Sequence, residues 1–135
     1  MKYLAIILAT ILLGCATQNQ RILSPDQSEV AIRQIQTRAF DTTDRTKTLR
    51  TIIATMQDLG FVIDKADLDL GSVSGTKLDG YQLRMTATVR PRGETQLLVR
   101  VNAQYNTTAV AAPEPYQQFF VALEKSMFLT AQQVD

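Results

Sequence analysis

Residues 81–105 read YQLRMTATVRPRGETQLLVRVNAQY, and this stretch decides the fold. Tyr81, Leu83, Met85, Ala87 and Val89 alternate with Gln82, Arg84, Thr86, Thr88 and Arg90. A side-chain period of two describes a strand with one apolar and one polar face. Pro91-Arg92-Gly93 makes a turn signal, after which Leu97, Val99, Val101, Ala103 and Tyr105 alternate with Gln96, Leu98, Arg100, Asn102 and Gln104. The two runs form a hairpin, dry on one face and wet on the other. Placing Arg90 opposite Glu94 across the turn predicts Arg84 opposite Arg100. Like charges directly opposed destabilise a sheet, so this pair, with Leu98 as an apolar point beside it, suggests an anionic partner on a face centred on Arg84, Leu98 and Arg100.

Upstream of the hairpin, Asp41-Thr42-Thr43-Asp44 is rich in helix N-cap residues, and Leu49, Ile52, Ile53 and Met56 follow at helical spacing. Gly60 suits the residue just past the helix. Before this helix, Ile32 to Phe40 reads as extended; after it come a strand beginning Phe61-Val62-Ile63, a turn over Asp67 to Gly71, and a strand from Ser72 to Leu78 broken by Asp79-Gly80. Downstream, residues 106–113 read as a small-residue loop, and Pro113 and Pro115 stand at a helix start. Tyr116, Phe119, Phe120, Leu123 and Met127 give that helix an aromatic buried stripe. The expected fold is α+β, in the order β-α-β-β-β-β-α. One antiparallel sheet with two helices on its dry face buries every apolar stripe at once.

Composition bounds the function. The chain has 135 residues, a formal net charge of +1, no histidine, no tryptophan and one cysteine. Near neutrality argues against nucleic acid as a partner, because that binding needs a broad basic surface. Without histidine, the usual proton shuttle and the commonest zinc ligand are missing. Asp67 and Asp69 lie in the densest acidic stretch, Asp64 to Gly71, but Gly71 and Leu78 stand where a calcium loop wants further oxygen ligands. That stretch reads as a solvated turn, with no metal. No catalytic set emerges, and no enzyme activity is expected.

The N-terminus is specific. Met1-Lys2 is followed by an uncharged apolar run, Tyr3 to Leu13, too short for the roughly 20 residues of a membrane span but suited to a secretion signal. It ends in Leu12-Leu13-Gly14-Cys15, which resembles the lipobox of bacterial lipoproteins. The resemblance implies cleavage between Gly14 and Cys15, a diacylglycerol thioether on Cys15 and an acylated amine. Such a covalent lipid is the only prosthetic group expected. Ala16 stands where an aspartate resembles the inner-membrane retention signal of enteric bacteria, so the outer membrane, periplasmic side, is the expected address.

The expected organisation is therefore a signal over 1–14, a lipidated cysteine and polar tether over 15–31, and one domain over 32–135. The order of elements over 32–133, with the lipobox and the size, resembles the TATA-binding-protein-like or helix-grip domains of BamC-type lipoproteins of the outer-membrane β-barrel assembly machinery. The resemblance implies partners among envelope proteins. The expectation is a non-catalytic lipoprotein that binds or scaffolds partners in an envelope assembly or transport complex. The alternative is a carrier holding a lipid or apolar small molecule between the helices and the sheet; Tyr116, Phe119 and Phe120 would line such a groove or, read plainly, fill the core.

Overall fold

A computed structural model describes residues 29–78 and 80–132, with side chains up to Phe128. The chain divides into two compact units, 1–31 and 32–135, and the fold described is that of the second. A helical segment over 29–35 (α1) leads into β1 (Thr37–Phe40), α2 (Arg45–Asp58), β2 (Val62–Asp67), β3 (Ser72–Leu78), β4 (Gln82–Arg92), β5 (Gln96–Tyr105), β6 (Thr108–Ala109) and α3 (Glu114–Gln132). Every pairing is antiparallel, in the order β1-β5-β4-β3-β2, with β6 on β5. The α+β class and the single sheet are as the alternation implies. A third helix and a sixth strand are additional.

β1 and β2 sit at opposite edges, so α2, which joins them, crosses the sheet. Asp44 caps α2 by accepting the Lys47 amide at 2.9 Å. Leu49, Ile52 and Met56 are fully buried, whereas Ile53 is half-buried. The buried arc turns instead towards Thr48, Thr51 and Thr55, each hydroxyl donating to the carbonyl four residues earlier at 2.8 Å. Such back-bonding satisfies the hydroxyl and allows threonine into a dry interface. The inner strand positions Val73, Leu83, Met85, Ala87, Val89, Val99 and Val101 close the core from the sheet side.

Tyr116, Phe119, Phe120 and Leu123 of α3 complete that core, at 0–2% exposure. An internal void large enough for water would leave accessible area on these rings, so they occupy the space between helix and sheet. The Tyr116 hydroxyl accepts from Gln36 Nε2 at 3.2 Å and donates to the Val110 carbonyl at 2.6 Å, which satisfies a buried phenol. Gln36 in turn accepts the Val101 amide at 2.8 Å. The extended segment expected from Ile32 is therefore short: the chain is helical to residue 35, and its first bond to the sheet is made by the Gln36 carbonyl. Likewise, the loop expected over 106–113 contains β6, because Asn106 takes a positive φ of 54° and folds Thr108–Ala109 back onto β5.

The acidic stretch is only partly a turn: Asp64 to Asp67 belong to β2, and the chain turns over residues 68–71. Asp67 accepts the Leu70 amide on Oδ1 at 2.9 Å, and the Asp69 carbonyl accepts Arg45 Nη2 at 2.8 Å. Arg45, the first residue of α2, thereby pins the β2–β3 turn to the helix start. Among the described residues no cluster of three His, Cys, Asp or Glu side chains could hold a metal, and no helix is long and apolar enough to cross a membrane.

Candidate functional site

α2 and α3 pack on one side of the sheet, and among the described residues of the domain no strand or helix is seen to cover the other. Its composition follows from the register. Across the sheet Thr37, Arg100, Thr88, Ser72 and Asp67 form one row; Asn102, Thr86, Ser74 and Lys65 form the next; Gln104, Arg84, Thr76 and Val62 form a third. Small hydroxyl residues occupy the middle, which keeps the face flat.

The expected juxtaposition of Arg84 with Arg100 is not what the strands make. Arg84 stands opposite Gln104, and Arg100 stands opposite Thr88. The reason lies at the turn. β4 continues through Pro91 and Arg92, and the reversal is Gly93-Glu94-Thr95, with Gly93 at φ 61°. Proline is tolerated there because of parity. The Val89 amide donates to the Gly71 carbonyl at 2.8 Å, on the β3 side of β4. The nitrogen of Pro91, two residues on, faces the same side beyond the start of β3 at Ser72, so it interrupts no bond of the β3–β4 ladder. Extending the strand by two residues slides the register by four. Arg84 and Thr88, the partner of Arg100, are thus about 13 Å apart along β4 at roughly 3.3 Å per residue.

A different basic pair results. Arg90 opposes Leu98 and so lies diagonally from Arg100, a separation of roughly 7–8 Å between backbones. Thr88, Arg90, Leu98, Arg100 and Asn102 line a shallow hollow of about 390 Å³. Leu98 and Arg100 thus stay together as the sequence implies, and Arg90 replaces Arg84 beside them. Pro91 carries the signal that would have shown this, once the turn is placed after it. Arg84 belongs to a second hollow, of about 550 Å³, with Val62, Leu78, Gln82, Thr76 and Asp64. Val62 and Leu78 are 72% and 81% exposed there, and periodicity alone gave no hint of them.

The face is net basic, with Arg84, Arg90, Arg100 and Lys65 against Asp64 and Asp67. Among the described residues no carboxylate pairs with Arg84, Arg90 or Arg100. The two acids of the same face are engaged: Asp64 accepts the Thr76 hydroxyl at 2.5 Å, and Asp67 holds its own turn. Free guanidinium forks on a flat surface suit carboxylates, which they bind through two parallel hydrogen bonds. Elsewhere, Tyr81 and Tyr105 meet edge to face at 4.6 Å at the far end of the hairpin. Burial, and then a hydrogen bond with Tyr81, raise the Tyr105 pKa above its ordinary value.

Gly14 and Cys15, the expected cleavage and lipidation site, lie outside the described residues. No family model matches the chain, and no curated protein is significantly similar to it.

Proposed function

We propose that this chain is a non-catalytic lipoprotein, held by lipid on Cys15 at the periplasmic side of the outer membrane, whose open sheet face docks an acidic segment of a partner protein. The partner belongs to an envelope assembly or transport complex, as the BamC-type resemblance implies. The observation that carries the docking reading is the hollow between Arg90 and Arg100, whose guanidinium groups lack a carboxylate of their own. The lipobox Leu12-Leu13-Gly14-Cys15 supports the anchoring. Burial of Tyr116, Phe119 and Phe120 favours this reading over a lipid carrier, which needs an apolar cavity where those rings lie.

The test is charge reversal of the pair that the register creates. Arg90→Glu with Arg100→Glu reverses the face without touching the core, so the melting temperature should stay within a few degrees of the unaltered chain. Capture of envelope proteins from solubilised membranes by the tagged full chain should fall at least tenfold. Undiminished capture alongside an unchanged melt would show that the face is plain solvated surface.

A further inference from the structure

The helical layer carries a groove of its own. It measures about 490 Å³ and runs between the end of β1, the first turns of α2 and the last turns of α3. Phe40 and Met127 line it, together with Thr48 and Thr51, whose hydroxyls are already bonded to their own helix. Phe128 stands at its rim, 63% exposed. The exposed ring of Phe128 thus adjoins the apolar part of the groove formed by Phe40 and Met127.

The charges around the groove are balanced. Lys47 and Glu124 line it, Asp41 accepts Gln96 Nε2 at 2.6 Å, and Arg38 stacks over Phe120 and reaches Glu124 at 4.0 Å. Two cations and two carboxylates give no net attraction for a strongly charged ligand. They do complement themselves, because a two-fold axis turns each patch onto its own copy. The patch also carries both a projecting ring and a trough to receive one. We infer that two copies of this chain pair through the groove, each Phe128 entering the trough of the other and each Lys47 meeting Glu124 of the other. The pairing lies on the helical layer, opposite the open sheet face, and stands whether or not that face docks a partner.

Two differently tagged full-length copies, co-expressed with p-benzoylphenylalanine in place of Phe128, test this by irradiation of intact cells. The expected product is a covalent pair of the two tagged copies, with the link mapped between Phe40 and Thr51 or at Met127 of the second copy. Lys47→Glu in both copies should lower its yield at least fivefold. Pairing a Lys47→Glu copy with a Glu124→Lys copy restores opposite signs at both contacts and should recover the yield. Links confined within one copy, links only to other proteins, links mapped outside the groove, or a yield indifferent to Lys47→Glu would each overturn the inference.

Discussion

At Gly71 the backbone leaves no room for a side chain. A Cβ there would collide with the Arg45 guanidinium and sit 2.8 Å from the Val89 carbonyl, on a backbone whose φ is +73°. Gly93 also has positive φ, at 61°, but a Cβ there would meet nothing within 4 Å. The two positions separate conformational strain from crowding. Gly93→Ala should cost the left-handed penalty alone, about 1–2 kcal/mol. Gly71→Ala adds displacement of Arg45 or of the β4 backbone, and should cost at least about 3 kcal/mol. Chemical denaturation of the two full-length variants measures both, and equal losses would mean that crowding against Arg45 and the Val89 carbonyl costs nothing beyond the left-handed backbone. None of this is legible in the sequence, where both glycines simply sit in turns. A contact between residues 45 and 71 depends on how α2 crosses the sheet, which no local pattern records. Arg90 differs, since its neighbour Arg100 is set by the turn, whose place Pro91 and Gly93 mark in the sequence, and not by either strand.

At the scale of the element, the sequence is most informative where burial is one-sided. The alternation over residues 81–105 fixes both central strands, and the order of elements follows because each apolar stripe needs a partner. Short or satisfied features were illegible: β6 has two residues, and the buried threonines of α2 look polar until their hydroxyls are seen bonded to the helix. Those threonines rotate the buried arc of α2 away from Ile53. Ile52 is fully buried and Ile53 half-buried, so their aspartate variants should differ sharply. Ile52→Asp leaves an unpaired carboxylate in the core at a cost of about 3–5 kcal/mol, enough to unfold a marginally stable domain. In Ile53→Asp the carboxylate can reach water, and the loss should be about 1 kcal/mol. Thermal melts followed by circular dichroism decide; the reverse order would mean that α2 presents a different face to the sheet.

For the whole molecule, the two proposed attachments do different work. An exposed arginine contact is weak by itself, contributing about 1 kcal/mol or less in water, so a face built from such contacts needs help to stay occupied. A lipid anchor supplies it by confining the domain and its partner to one membrane, which raises their effective concentration without any new contact. Each buried methylene of the anchor adds about 0.8 kcal/mol of membrane binding, and more than one chain is required for stable attachment. On this reading, Cys15→Ser removes the thiolate nucleophile that takes the lipid, and a hydroxyl is too weak a nucleophile to replace it. Metabolic labelling with a fatty-acid analogue should then show no incorporation, and the protein should no longer fractionate with membranes. The domain itself is untouched, so its melt should not change. Crosslinking of the variant to its partner in intact cells should fall severalfold, whereas mixing the purified variant with solubilised partner should give undiminished capture, because detergent has already abolished the confinement. Label retained on Cys15→Ser would remove the anchor from the proposal. Capture lost in detergent as well would mean that the lipid, or the segment carrying it, forms part of the contact.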